Sequence, residues 1–509
     1  MRTLRTIERR SDVRGLLLRI GDLEAGWAQA QELRAWIHRL RRAGKRVLAY
    51  LEAPATQHYY VAAAADRVLL DDAGGVRLQG LGETHFYLRG LFDHVGVQPQ
   101  FVRIAEYKAA PEGLTRSAPS GPAREMTAAR LDDVFEQLVR DLARDRRLSP
   151  ARVRALIDHG PFTAPQARSA GLVDEVLAPA DLQRQVQRST HAELVPLAAL
   201  ARARDRWPGG PALAIVVIDG DIVDGQSSSI PLLGRELVGD GTLVAALDAV
   251  RLDPRIRAVV LRIDSPGGSA LASHHLWAAV RALRRVKPVI VSLANVAASG
   301  GYYAACAGDR IFAEPAAITG SIGIFTGKVN FGGLLRRLGI GHDTSLRGAR
   351  AGLDSSVAPY SAEEQRFILQ QLQHFYRRFL GAVATGRGLT QDAVHAVARG
   401  RIWTGAQAQR QGLVDAVGGL QEALLEAQRR AGLADDAAFD LVVLPRRDRG
   451  LLARAARLLG AGAGGPGEQA AAALPPALRA LVADLPLPLW YARSGQALAR
   501  LPYELVNLP

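Results

Sequence analysis

Short apolar runs alternate along the chain with segments whose apolar positions recur every three or four residues. Gly15–Ile20 reads as a buried strand, followed by helical spacing over Ala30–Ala43 and a second strand at Arg46–Tyr50. The same order returns later, with strands at Ala258–Ile263 and Pro288–Leu293 flanking a helix at Ala270–Arg285. Short strands rich in Val, Ile and Leu, separated by helices, predict an α/β fold: a largely parallel sheet with right-handed crossovers. Further helices are predicted at Leu131–Arg146 and Glu363–Arg378, toward the end of each half.

The recurrence extends to the residues themselves. Gln57–Val68 (QHYYVAAAADRV) resembles Gly300–Ile311 (GGYYAACAGDRI) at an offset of 243 residues. That offset also pairs Leu91 and Val95-Gly96-Val97 with Leu334 and Leu338-Gly339-Ile340. An offset of 241 then pairs Phe162-Thr163 and Gly171-Leu172-Val173-Asp174 with Trp403-Thr404 and Gly412-Leu413-Val414-Asp415. One unit of about 200 residues is therefore written twice. The chain divides into a first repeat over 1–188, a linker over 189–210, a second repeat over 211–445 and a tail over 446–509. The linker is polar, Arg/Ala-rich and closed by Trp207-Pro208-Gly209-Gly210. In the tail, residues 446–459 have the spacing of a basic amphipathic helix, suited to a solvated face or to peripheral contact with a membrane or partner.

Composition narrows the function classes. Hydrophobic residues at 48% and charged residues at 22% are those of an ordinary globular chain. No run reaches the ~18 apolar residues of a membrane-spanning helix, and Met1–Arg14 is basic without the apolar core of an export signal. The net charge of +14 is scattered as arginine over helical faces, with no zinc spacing and no aromatic-basic RNA motif. Nucleic acid is not an expected partner; a weak attraction to anionic lipid is. The single cysteine, Cys306, lies in an apolar run and reads as a small core residue. No metal or cofactor is expected. Only Lys45, Lys108, Lys287 and Lys328 among the 64 basic residues are lysines; the other 60 are arginines. A lysine can lose its proton and act as a base, whereas an arginine cannot.

Two glycine-bearing turns follow consecutive strands of the second repeat, Asp264-Ser265-Pro266-Gly267-Gly268-Ser269 and Asn295-Val296-Ala297-Ala298-Ser299-Gly300-Gly301-Tyr302. Both fall at strand carboxyl ends, where open α/β sheets bind ligands. Glycine backbone amides can point at an oxyanion, and a serine opening a helix presents its hydroxyl to the crevice. Ser299 is the candidate nucleophile, although a helix cap would place a serine there equally well. The first repeat weighs against a purely structural role, since it carries Thr56-Gln57-His58 where the second has Ser299-Gly300-Gly301. The nucleophile elbow Gly-x-Ser-x-Gly is absent, with Ala297-Ala298 preceding Ser299.

An activated serine needs a base within reach. His274 and His275 fall inside the helix after the Pro-Gly-Gly turn, and His342 sits in a loop with no evident partner. Lys108 lies in the loop-like Ile104–Pro111 segment, and its counterpart in the second repeat is Ala351 or Arg350. One repeat thus keeps the serine and the other the lysine, as expected of a duplicated enzyme that shares one site between its halves. Lys328 is expected in an exposed loop. Lys45 and Lys287 stand just before equivalent strands, which suggests structural positions.

The segments Ser-Pro-Gly-Gly-Ser, Ala-Ala-Ser-Gly-Gly-Tyr-Tyr, Ile318–Ile324 (ITGSIGI) and Glu106-Tyr107-Lys108 together resemble the signature segments of the signal peptide peptidase A family in its long, two-repeat form. The resemblance runs from about residue 12 to residue 435. It implies a tandem Clp/crotonase-like spiral of ββα units with helical C-terminal extensions, assembled as a homotetramer. It further implies a Ser–Lys serine peptidase with Ser299 as nucleophile, neutral Lys108 as general base and Ser321 orienting the lysine. Gly267 and Gly268, with the Ser299 and Gly300 amides, would form the oxyanion hole. The implied substrates are signal-peptide remnants and other short hydrophobic peptides, and the implied location is the periplasmic side of a bacterial inner membrane. The family's long form carries an N-terminal anchor that is not seen in this sequence. Two other readings remain: a crotonase-like acyl-thioester binder, and a non-catalytic scaffold.

Overall fold

The computed structural model describes residues 2–197, 210–230, 235–434, 439–445 and 498–500. The amphipathic pattern at 446–459 and most of the 189–210 linker lie outside the described residues.

The first repeat contributes strands β1 (Gly15–Ile20), β2 (Arg46–Leu51), β3 (Arg67–Asp71), β4 (Gln98–Arg103) and β5 (Glu175–Leu177). The second contributes β6 (Ala212–Asp219), β7 (Asp221–Val223), β8 (Ile256–Ser265), β9 (Gly267–Ser269), β10 (Val289–Ala298) and β11 (Arg310–Ala313). It continues with β12 (Ile318–Gly320), β13 (Phe325–Asn330), β14 (Ile402–Thr404) and β15 (Ala416–Val417), and β16 (Leu498–Arg500) comes from the end of the chain.

The duplication is visible in the topology. A parallel sheet runs β1-β2-β3-β5 in the first repeat, and its equivalent in the second runs β8-β10-β11-β15. The repeated residues make the same bonds twice. Asp66 accepts from the Val47 amide, as Asp309 does from Val289. Tyr59 donates to the Leu172 carbonyl at 2.7 Å, as Tyr302 does to Leu413 at 2.8 Å. Arg146 pairs with Asp174 as Arg387 pairs with Asp415. The repeated Asp-Arg and Leu-Val-Asp motifs therefore satisfy strand ends and buried backbone groups, which would be destabilising if left unpaired. The parallel arrangement, the twofold pattern and the flanking helices form the tandem Clp/crotonase-like α/β fold.

The two repeats are joined through both helices and strands. Helix Trp27–Arg42 carries Glu32, whose carboxylate binds Arg262 of β8 and accepts from the Leu420 amide at 3.0 Å. From the same helix, Gln31 accepts from the Ala316 amide at 2.8 Å. Helix Gly121–Arg146 reaches across with Gln137 to the Pro315 carbonyl at 3.2 Å. Strand β4 pairs antiparallel with β13 over six residues, from Arg103 opposite Phe325 to Gln98 opposite Asn330. The Ile104 amide then donates to the Ile324 carbonyl and prolongs that ladder.

Glu314 lies in this junction and is 6% exposed. Burial, together with the nearby Glu32 and Glu422 carboxylates, pushes its pKa up to about 8. The folded chain then holds a proton that the unfolded chain releases above about 4.5. Stability from this group is full below that value and is lost as the pH rises toward about 8. Glu314→Gln is expected to flatten this part of the stability curve; a series of thermal midpoints across the range checks it.

Cys306 is fully buried, as expected of a core residue. Among the described residues no helix is long and apolar enough to cross a membrane. Lys45 and Lys287 cap carbonyls at the ends of neighbouring segments, Arg10 and Val13 for the first and Val250 and Asp253 for the second. Lys328 corrects the sequence reading. It is 3% exposed within β13, donates to the Leu353 carbonyl at 2.9 Å and lies over the Tyr360 ring.

Candidate active site

Three strand ends of the second repeat and one loop of the first converge on a buried point. Ser299 follows β10 and opens the helix Gly300–Ala305 with φ 53 and ψ −112. A non-glycine residue in this sparsely populated region is strained by about 1–3 kcal/mol and persists only where its surroundings hold it. The surroundings here are the β10–β12 ladder, which the Ser299 amide continues by donating to the Gly320 carbonyl at 2.8 Å. The strained turn throws the side chain off the strand, although Ala297 stands where the usual elbow has its first glycine. Ser321, directly after β12, also has a positive φ of 50.

Lys108 arrives from the other repeat. Strand β4 ends at Arg103, and the following turn carries Lys108 into the interior, where it is 0% exposed. Its Nζ lies 2.8 Å from Ser299 Oγ, 3.0 Å from Ser321 Oγ and 3.1 Å from the Ser321 carbonyl oxygen. The three residues meet within one chain. Burial drives the lysine pKa well below its ordinary value, and among the described residues no carboxylate forms an ion pair with it. A neutral amine offers two N–H donors and one lone pair. The Ser321 oxygens can take the two N–H groups, leaving the lone pair for the Ser299 hydroxyl proton.

A short loop that the sequence reading passed over supports this arrangement. The Tyr107 amide donates to the Arg399 carbonyl at 3.1 Å, the Ser321 amide to Arg401 at 2.7 Å, and the Gly400 amide to Ile322 at 2.9 Å. Residues 399–401 therefore hold the lysine segment and the Ser321 segment together. Gly400 has φ +79, and a Cβ there would lie 2.5 Å from the Lys108 amide nitrogen. A glycine is required on both grounds. Its surroundings in sequence, Ala398-Arg399-Gly400-Arg401, look like an ordinary loop, so nothing local signals the role.

The Pro-Gly-Gly turn sits beside the pair. Ser265, at the end of β8, pairs with Ala297 of β10, two residues before Ser299. The Ser265 hydroxyl donates to the Gly220 carbonyl at 2.6 Å and accepts from the Gly267 amide at 3.2 Å. Ser269 caps the helix Ala270–Arg284 by accepting from the Ala272 amide. Gly268 lies so close to Ile222 that a Cβ would stand 2.0 Å from its carbonyl oxygen.

Of the expected oxyanion donors, the Ser299 amide is excluded, because its N–H is committed to Gly320 in the strand ladder. The Gly300 amide opens the helix, and no partner for it occurs among the described residues. A small, mostly apolar cavity is lined by Ala270, Leu271, His274, Tyr303, Ile324, Phe375, Arg378 and Phe379. Ala270 and Leu271 directly follow β9, and Tyr303 and Ile324 come shortly after Ser299 and Ser321 in sequence.

None of the histidines considered as bases reaches Ser299. His274 lies near the Tyr303 hydroxyl at 3.2 Å and Arg378 at 2.7 Å, His275 binds Asp240, and His342 is exposed. Among the described residues no cluster has the makings of a metal site.

The fold and the site define a duplicated Clp/crotonase-like α/β protein built around a buried serine–lysine pair. Comparison with known proteins gives the family. The pattern of Peptidase family S49 matches residues 39–193 and 281–434, one segment in each repeat. The chain is 30% identical over 445 residues to the chloroplastic serine protease SPPA of Arabidopsis thaliana, covering 85% of this chain and 65% of that protein. It is 30% identical over 449 residues to Protease 4 of Haemophilus influenzae, covering 84% and 71%. Against Protease 4 of Salmonella typhi it is 30% identical over 414 residues, covering 78% and 66%. The chain thus spans about two thirds of the length of these relatives, and it belongs to peptidase family S49.

Proposed function

We propose that this chain is a serine endopeptidase that cleaves short hydrophobic peptides, signal-peptide remnants among them, through an acyl-enzyme on Ser299. The observation that carries the proposal is the Lys108 amine, wholly buried, with no ion-pair partner among the described residues and 2.8 Å from Ser299 Oγ. In the proposed mechanism neutral Lys108 takes the Ser299 proton as Oγ attacks the peptide carbonyl. The ammonium so formed then gives that proton to the leaving amine. A water, deprotonated by the same lysine, releases the acyl group. The Gly300 amide and the Gly267–Gly268 turn would face the oxyanion, with Gly267 exchanging its Ser265 contact for the developing charge. The mostly apolar cavity whose lining includes Tyr303 and Ile324, shortly after Ser299 and Ser321 in sequence, supports a preference for hydrophobic side chains.

A serine-directed fluorophosphonate tests this reading. Wild type is expected to be labelled and to cut a quenched apolar peptide, and Ser299→Ala to do neither. A folded wild type that takes no label would favour the acyl-thioester or scaffold readings instead.

Ser321 is proposed as a positioning residue. Ser321→Ala removes one of the two oxygens that orient the amine and is expected to lower kcat about 10-fold to 100-fold with KM little changed. The pH dependence of kcat should move as well, which a merely structural contact would not cause.

The homotetramer implied by the family resemblance is retained as a proposal. The serine and lysine meet within one chain, so assembly is not needed to unite them. A mass in solution about four times that of the chain is expected by light scattering. Peripheral attachment to the periplasmic face of an inner membrane is likewise proposed by resemblance.

A further inference from the structure

The ladder between β8 and β10 slips just before the Ser299 turn. Ile263 pairs with Leu293 and Ser265 with Ala297, so residues 294–296 of β10 face Asp264 alone. Such a bulge leaves backbone groups without their ladder partners. The Asp264 carboxylate takes over one of them, accepting from the Val296 amide at 3.0 Å. Its second oxygen accepts from the Asn295 side-chain amide at 3.3 Å.

Asn295 uses its other end on the first repeat, where its Oδ1 accepts from the Gln29 amide at 3.1 Å. Gln29 is the third residue of helix Trp27–Arg42, which begins after Gly26 with no side-chain cap of its own. Asn295 thus caps, from the opposite repeat, an amide that the helix itself cannot satisfy. A Cβ at Gly26 would stand 2.2 Å from Asn295 Cγ, so a glycine makes the space for this foreign cap. The two hydrogen bonds also fix which way the Asn295 amide points, since one end must accept and the other donate.

Neither residue has a counterpart of its kind in the first repeat. The 243-residue offset sets Gly21 against Asp264 and Glu52 against Asn295. The pair therefore belongs to the repeat that carries the serine and is not demanded by the shared fold. Its location connects three parts of the site. Asp264 directly precedes Ser265-Pro266-Gly267-Gly268, and Asn295 stands four residues before Ser299. Helix Trp27–Arg42 belongs to the repeat that supplies Lys108.

We propose that Asp264 and Asn295 are positioning residues: together they close the β10 bulge and clamp it to the first repeat, setting where Ser299 stands relative to Lys108 and the Pro-Gly-Gly turn. Both act through the backbone that leads to Ser299 rather than on its hydroxyl. The clamp's value to catalysis rests on the peptidase reading.

The test is a swap of the two side chains, measured at about pH 8, where a carboxylate only accepts. Asp264→Asn sets two amide donors face to face, and Asn295→Asp sets two carboxylates face to face. Each single variant is expected to lower kcat about 10-fold to 100-fold, with KM within about twofold of wild type. Fluorophosphonate labelling of Ser299 should slow by the same factor. In the double variant Asp264→Asn/Asn295→Asp, donor and acceptor are exchanged and every bond is restored. The new amide accepts from Val296 and donates to the new carboxylate, whose other oxygen still accepts from Gln29. A negative charge is also favoured at that helix N-terminus. The double variant should recover kcat to within about threefold of wild type. That recovery decides the matter even where a single variant fails to fold. Folded single variants with wild-type kcat, whatever their Tm, or a double variant no more active than the weaker single, would overturn the proposal and leave the peptidase reading intact. A wild type that neither labels nor cuts would sink the peptidase reading, and this proposal with it.

Discussion

Lys108→Arg is expected to be as inactive as Lys108→Ala, with kcat/KM lowered by about 10³-fold to 10⁶-fold. Arginine keeps its proton under all conditions in which a protein folds, so it cannot accept one from Ser299. Retaining positive charge is therefore no rescue. The position also has no room in solvent for a permanent charge, since Lys108 is 0% exposed and the wild-type side chain escapes the penalty by becoming neutral. A guanidinium there would threaten folding itself, and a second variant separates the two effects. Lys108→Met has similar length, carries no charge and suits the apolar surroundings. It is expected to fold with a Tm at or above wild type and still to be inactive. Peptide cleavage with a parallel thermal melt decides the matter. A largely active arginine or methionine variant would end the case for a lysine base.

Gly400→Ala is the second large effect expected, although this residue would touch neither substrate nor the reacting atoms. Two independent obstacles meet at this position. The backbone φ of +79 disfavours any L side chain, and a Cβ would stand 2.5 Å from the Lys108 backbone nitrogen and 2.7 Å from its Cα. The nearest atoms are backbone, so no flexible side-chain end can swing aside. The lysine segment must shift instead, and a displacement near 1 Å at a catalytic group costs about 10²-fold in rate. The expected signature is a kcat lowered by about that factor with peptide binding retained. Ser299 labelling should slow in parallel. A variant with wild-type kcat would show that residues 399–401 do not position Lys108.

The duplicated α/β framework was readable because its cause is local. Apolar runs of strand length, helical spacing and the repeated Asp-Arg and Leu-Val-Asp motifs each satisfy nearby partners, and the structure shows the same bonds made twice. Ser299 and Lys108 were legible for another reason. Each repeat retains what the other has lost, and lysine is scarce enough in this chain for one in a loop to stand out. What remained hidden depends on how the repeats pack. Lys328 looked like a loop residue because nothing near it announces that Gln98–Arg103 of the other repeat completes its strand. The Ser299 amide looked available until the β10–β12 ladder claimed it. Gly400 could not be separated from other loop glycines, since the group it accommodates lies 292 residues away in sequence. The β9–β16 pairing joins the Pro-Gly-Gly turn to the end of the chain, a relation that no periodicity records.

The central claim is that a neutral, buried Lys108 activates Ser299. Its most direct test is the rate at which a fluorophosphonate modifies Ser299 between about pH 5 and about pH 10, in wild type and in Lys108→Met. The wild-type rate should rise with pH through a single ionisation and level off well below the ordinary lysine value of 10.5, because burial favours the uncharged amine. The methionine variant should react at least about 10³-fold more slowly, with no such rise. A wild-type rate independent of pH, or the same profile with methionine in place of the lysine, would contradict the account.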